Sequence, residues 1–338
     1  MLLGKCFLCN LWLLMFIAIA IINCEAWRIG RAATHWRTIY VGHSGSGKFT
    51  SIQTAIDSVP SNNDNWVRIY VEAGVYREQV KVPRDKQFIE LTGKGKWNTS
   101  VVWNACERLD TSATFTVYAD NFVARDISFV NSHNYPWNPR VPRKPAVAAL
   151  IEGDKNSFYR CGFVGLQDTL WDSVGRHYFH RCSIVGAVDF IFGAGQSIYE
   201  GCVISFNGAA LQGPGYITAQ ARGDEKDPSG FVFKDCVVVG TGWTYLGRPW
   251  RPYARVIFYN STFSGIIVPA GWDPWIASSN VNNLVFAEKF CHGPGSYSRD
   301  RIKWESRLNE DQLQEFTSIS YIDNEGWIGR QPFNMLAD

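Results

Sequence analysis

At 338 residues the chain is long enough that size sets no limit on its core. Length alone suggests about two domains, a count that internal repetition would override. The formal net charge of +2 comes from basic residues scattered without a run of five or more, which excludes a nucleic-acid-binding patch.

The first 26 residues carry one lysine, Lys5, an apolar run from Leu11 to Ile22, and a small-residue end at Cys24-Glu25-Ala26. That run is too short to span a bilayer comfortably, so residues 1–26 are expected to be a signal peptide cleaved after Ala26, with an uncleaved anchor as the alternative. Lys5 and Glu25 cancel, so the mature chain, 27–338, keeps the same charge. Asn98 and Asn260 head Asn-x-Ser/Thr sequons, which fits glycosylation on passage through the secretory pathway. Six cysteines remain after cleavage, at 106, 161, 182, 202, 236 and 291, and an even count in an exported chain permits disulfides.

Arg37–Val41 is predicted to be a strand, Gly42–Lys48 a glycine-rich turn, and Ser51–Val59 a short helix ending before Pro60. Gly42-x4-Gly47-Lys48 approaches a phosphate-binding loop, but Phe49 stands where the magnesium-binding Ser or Thr belongs, so the segment reads as an N-terminal cap. Ile69–Glu78 alternates as a strand and turns at Gly74, with Arg77 and Glu78 expected to pair.

From there to residue 265 the chain repeats. Aligned on Cys161, Cys182, Cys202, Cys236 and Ser261, an aromatic residue lies three positions before each marker: Phe158, Phe179, Tyr199, Phe233 and Phe258. Two positions after lies an apolar residue: Phe163, Ile184, Ile204, Val238 and Phe263. Glycine follows four after each marker except Cys202, and a fainter copy places Ile127 in the marker slot. Spacings of 21, 20, 34 and 25 residues indicate short strands stacked at a coil-sized period, with a loop in the longest interval. Only neighbouring coils can cover one another's apolar faces, and no helical pattern fits between the markers. The expected architecture is all-β: a single-domain right-handed parallel β-helix with short capping helices, one of them at Asn309–Phe316. Coils stacked about 4.8 Å apart would bring same-slot cysteines within disulfide range. Bridges Cys161–Cys182 and Cys202–Cys236 are therefore expected, with stacked free thiols as the alternative.

Two segments place carboxylates among apolar neighbours, Gly165-Leu166-Gln167-Asp168-Thr169-Leu170-Trp171 and Asp189-Phe190-Ile191-Phe192-Gly193. An aspartate beside a glycine is by default a turn closer. Downstream, however, Leu246-Gly247-Arg248-Pro249-Trp250 supplies a cation and an aromatic ring in a rigid frame, suited to pairing a carboxylate beside a sugar. Together these stretches resemble the signature of plant and bacterial pectinesterases (pectin methylesterases), as do Ser51-Ile52-Gln53-Thr54-Ala55-Ile56 and Gly74-x-Tyr76-x-Glu78.

The resemblance implies hydrolysis of galacturonate methyl esters in pectin, with no cofactor. By motif, Asp189 would be the nucleophile, Asp168 the acid and then the base, Arg248 the partner of Asp189, and Gln167 an oxyanion donor. Trp250 and Trp275 would line the saccharide groove, with Trp171 and Phe192 flanking the aspartates; burial in the core is the plainer alternative for any one of these rings. The family's second oxyanion glutamine is replaced by Pro145, which has no donor. Losing such a donor typically costs roughly 2.7–4 kcal/mol, so a weakly active wall-binding protein stands as the alternative function. A pectate lyase or polygalacturonase would want clustered acidic calcium ligands or several carboxylates around the scissile bond, and neither is legible. The histidines at 35, 43, 133, 177, 180 and 292 lack metal-ligand spacing, and no Gly-x-Ser-x-Gly elbow exists. The implied setting is a secreted, monomeric cell-wall protein that binds pectin and is open to proteinaceous pectinesterase inhibitors. It would have no nucleic-acid partner, no membrane anchor after cleavage, and no room before the catalytic fold for the inhibitor-like domain of many plant members.

Overall fold

The computed structural model describes residues 37–43, 48–277, 280–297 and 299–332. The expected leader and most of the glycine-rich turn lie outside them. His35–Asn324 makes one compact unit, and the segment from Glu325 onward belongs to a second, in which Ile328–Arg330 forms a 3-10 turn.

Every strand pairing among the described residues is parallel, and the strands sort into sheets of ten, seven and eight. The central coils each give one strand to each sheet, and the ten-stranded sheet runs on at both ends. Asn156–Tyr159, Gly162–Val164 and Leu170–Asp172 make one coil, and Arg176–His180, Ser183–Gly186 and Val188–Gly193 lie in register beneath the same three sheets as the next. This is a parallel β-helix, as the repeat requires: a strand whose apolar face has no partner in its own coil is buried by the next coil.

The repeat positions become ladders. Phe158, Phe179, Tyr199, Phe233 and Phe258 occupy one register row of the ten-stranded sheet and stack ring on ring, with centroids 5.1, 4.5, 4.6 and 4.5 Å apart. Phe163, Ile184, Ile204, Val238 and Phe263 make the matching row of the eight-stranded sheet. Both rows are buried, and each such aromatic contributes about 3–5 kcal/mol against truncation to alanine. The aromatic row ends at Glu288, whose buried carboxylate is neutralised by Arg301 at 2.8 Å.

The marker cysteines do not form the expected bridges. All six cysteines after the leader are free thiols. Four of the five markers instead turn their donor onto the carbonyl of the aromatic residue one coil earlier: Cys182 to Phe158 at 3.3 Å, Cys202 to Phe179 at 3.4 Å, Cys236 to Tyr199 at 3.2 Å, and Ser261 to Phe233 at 3.4 Å, while Cys161 turns to the Tyr159 carbonyl at 3.5 Å. The slot selects a small, weakly donating side chain that satisfies a buried carbonyl, and serine serves it as well as cysteine. Arg160, Arg181, Gly201, Asp235 and Asn260, the residues just before the markers, are all in the left-handed conformation that turns the chain from one sheet to the next.

The two longer helices, Ile52–Asp57 and Glu310–Thr317, flank the stack of coils in the sequence. Ile52–Asp57 is capped by Ser51, and Glu78 accepts from Ser51 Oγ at 2.7 Å, Ile52 N at 2.8 Å and Gln53 N at 3.0 Å. The expected Arg77–Glu78 pair gives way to this use, because a carboxylate satisfies the orphan N–H groups of a helix start and favours its dipole. Glu310–Thr317 follows Asn309 through a full capping box and buries Leu313 and Phe316, as expected for the C-terminal cap.

Candidate active site

Gln167, Asp168, Asp189, Phe192, Trp250 and Trp275 line one cavity of about 160 Å³ on the outer face of the seven-stranded sheet. Adjacent coils bring them together. Trp171 pairs with Phe192, Phe192 with Ala219, and Ala219 with Arg248 in a single register row, while Gln167 bridges to Val188 beside Asp189. Asp168 and Asp189 both have positive φ, 58° and 47°, at the corners where their coils enter this sheet. That conformation is uncommon outside glycine, tolerated by aspartate, and concentrated at functional sites. The second motif ends in glycine for a steric reason: Gly193 has φ 121°, and a Cβ there would lie 2.0 Å from the Asp172 carbonyl oxygen.

The two carboxylates have different surroundings. Arg248 donates from Nε to Asp189 Oδ1 at 2.9 Å and from Nη2 to Oδ2 at 2.5 Å, a two-point ion pair. Burial pushes Asp189 above the ordinary aspartate range and Arg248 opposes that rise. Asp168 is pushed up to about 8 by burial and by the neighbouring Asp189 charge, with Arg248 opposing only through space. Near neutral pH Asp168 therefore keeps its proton, while the Arg248 fork favours the charged form of Asp189.

Trp171 stacks on Phe192 at 5.4 Å, and Phe192 meets Trp250 at 5.8 Å, so the three rings form one contiguous patch, with Phe192 and Trp250 lining the cavity and Trp171 outside its lining. Trp275 is 40 % exposed at the cavity rim. Pro145 lies in the coil before Gln167, whose carbonyl accepts from Ala146 N at 3.1 Å, and it is not among the cavity-lining residues. Asn98 and Asn260 are exposed on other turns. Four participants had no motif to announce them: Leu109 and Ala219 line the cavity, and Tyr216 and Asp273 surround Arg248. Leu109 lies on a one-turn helix, Leu109–Ser112, outside the repeat, whereas Ala219 was findable as the register neighbour of Phe192 and Arg248. His177 is buried, with Nδ1 at 2.5 Å from Asp172 and Nε2 at 2.7 Å from the Gly153 carbonyl, in a closed polar cluster that Tyr199 completes. Among the described residues no three His, Cys, Asp or Glu side chains are grouped to hold a metal ion. A larger cavity of about 390 Å³, beside Glu288 and Glu305 at the C-terminal end, contains no aspartate pair, so chemistry rather than size picks the site.

A parallel β-helix that carries a buried aspartate pair, one of them ion-paired to an arginine, in a cavity lined with aromatic rings is the architecture of a carboxylic ester hydrolase. The chain belongs to the pectinesterase family, whose sequence model, described as Pectinesterase, matches residues 38–325. It is 52 % identical over 299 residues to "Probable pectinesterase 29" of Arabidopsis thaliana, covering 87 % of this chain and 89 % of that one. It is 50 % identical over 303 residues to "Probable pectinesterase 55" of the same plant, covering 88 % and 92 %. Among solved structures it superposes on the pectin methylesterase from carrot with a TM-score of 0.82 at 30 % identity, covering 90 % of this chain and 99 % of the other.

Proposed function

We propose that the protein removes methyl groups from esterified galacturonate units of pectin, releasing methanol. The observation that carries this reading is a pair of buried aspartates lining one cavity, with the Arg248 fork fixed on Asp189 alone. In the first half-reaction an Asp189 carboxylate oxygen attacks the ester carbonyl carbon. The oxygen that becomes negative faces the Gln167 amide. Collapse of the tetrahedral species breaks the bond to methoxide, which takes the Asp168 proton and leaves as methanol. Asp168, now a carboxylate, then takes a proton from water as that water attacks the acyl carbonyl, and Asp189 departs as the carboxylate it began as. One aspartate thus serves as acid and then base because its proton is delivered and recovered within one cycle.

Trp250, Trp275 and Trp171 give the aromatic surface on which pyranose rings would rest. The same reading makes the protein a secreted, glycosylated monomer of the cell wall that proteinaceous inhibitors could bind. The leader-like 1–26, the exposed sequons at Asn98 and Asn260, and a net charge of +2 that does not repel an acidic polymer support it. Methanol release from highly esterified pectin by the purified chain tests the proposal, and a folded preparation that releases none would refute it.

A further inference from the structure

Arg248 is held on three sides. Its guanidinium lies 4.0 Å from the Tyr216 ring centroid and 3.9 Å from that of Trp275, so two aromatic faces sandwich the plane whose edge is bonded to Asp189. Tyr216 comes from strand Gly215–Gln220, one coil before Arg248, and stacks on Tyr245 at 5.3 Å. Trp275 comes from the segment that runs beside strand Thr244–Pro249, through Leu246 N to the Gly271 carbonyl at 2.8 Å and Asp273 N to the Gly247 carbonyl at 3.1 Å. Asp273 joins the two faces: Oδ2 accepts from the Tyr216 hydroxyl at 2.8 Å and Oδ1 from Trp275 N at 2.8 Å. The base of that segment is fixed by Arg301, which donates to the carbonyls of Val268 and Pro269, and Gly271 has φ 74° where a Cβ would lie 2.6 Å from the Arg301 side chain.

We propose that Tyr216 and Asp273 are positioning residues that fix the plane of Arg248 and thereby set the ionisation of Asp189. The proposal rests on the functional reading above. Arginine has many rotamers, and a two-point hydrogen bond survives only if the guanidinium plane is held. The sandwich removes rotation about the side-chain axis, and the Asp273 clip keeps its two faces at fixed separation. Asp273 also contributes a negative charge that disfavours ionised Asp189, so it acts on Asp189 in two opposed ways. Among the described residues, the charged and titratable groups acting on Asp189 are Asp168, Arg248 and Asp273, with Tyr216 reaching it through Arg248.

The test is a carboxyl NMR titration of the full chain labelled with ¹³C at aspartate Cγ, with the Asp189 signal assigned by its loss in Asp189→Asn, run beside pH profiles of kcat/KM. The two site aspartates titrate as a pair, so the lower midpoint is followed. Tyr216→Leu, which removes one face, should raise that midpoint by about one pH unit and carry the acidic limb of kcat/KM with it. Tyr216→Phe keeps the ring and loses the clip, and should shift both in the same direction by less. Asp273→Asn keeps an acceptor for Trp275 N and lets its amide donate to the Tyr216 hydroxyl oxygen, so it preserves the clip and removes the charge, and both should move downward. A merely structural role would lower activity without moving the midpoint in opposite directions. If Tyr216→Leu does not fold, the Phe and Asn variants decide, and a midpoint unchanged in both overturns the proposal. A wild type that titrates as described but releases no methanol would refute the functional reading and leave the positioning role standing.

Discussion

Arg248 reaches Asp189 through two parallel hydrogen bonds of 2.9 and 2.5 Å, so the aspartate closest to the guanidinium is the one whose charge is kept. Its counterpart Asp168, one coil away, is equally buried but has no such fork, and burial dominates there. In the proposed mechanism, this difference in one partner is what makes acid and nucleophile from the same residue type.

The pH dependence follows from Asp168. Its proton is available below about 8 and absent above. Initial attack needs that proton, so kcat/KM should fall as pH rises through this value, tenfold per pH unit beyond it. Stability has a definite sign as well. The unfolded chain gives up the same proton near pH 4, so between about pH 4 and about 8 the unfolded state holds fewer protons and stability falls as pH rises. Asp168→Asn removes this cost, and its melting temperature should exceed wild type by a few degrees at the alkaline end of the window while turnover collapses. Calorimetry at both ends of the window, with methanol assays, checks this; equal melting temperatures at the alkaline end would contradict it.

Gln167 is the only side-chain amide lining the described cavity, and Pro145 offers no second donor. Pro145→Gln should raise kcat about tenfold, roughly 1.4 kcal/mol, with little change in KM, because a donor aimed at developing charge acts on the transition state. The gain is set below the usual range because the backbone shaped by proline aims the new amide imperfectly. Steady-state kinetics on one pectin preparation decide it, and an unchanged kcat would mean another group already fills the hole.

The marker cysteines should stay reduced. Mapping of non-reduced, alkylated peptides should find Cys161, Cys182, Cys202 and Cys236 modified after denaturation, and reductant should leave the melting temperature where it was. Cys202→Ser should be nearly neutral, because Ser261 already makes the same bond in the same ladder. Recovery of a 161–182 or 202–236 peptide pair would restore the bridges that the structure lacks.

Much of the fold could be read from residue spacing, because the aromatic at minus three and the apolar residue at plus two are the side chains that stacking must bury. The turn residue at minus one was not legible. Arg160, Arg181, Asp235 and Asn260 share only a left-handed backbone, which side-chain chemistry scarcely encodes in arginine. The same cysteine slot was misread as covalent because spacing reports proximity, whereas the bond actually made goes to a backbone carbonyl. Glu78 was assigned to its sequence neighbour Arg77 although its partners lie 25 to 27 residues earlier. At the site, the residues that touch the reacting groups carried motifs. Tyr216 and Asp273 act through Arg248 and are joined across 57 residues, a relation that only the folded coil reveals.

The central claim is that the Asp189 carboxylate attacks the ester. The most direct measurement is methanol release by Asp189→Asn beside wild type on the same esterified pectin, with circular dichroism of both. The amide keeps the shape and cannot act as the nucleophile, so the variant should show the wild-type spectrum and a kcat lower by about a thousandfold or more. Turnover within a few-fold of wild type in a folded Asp189→Asn protein would contradict the account.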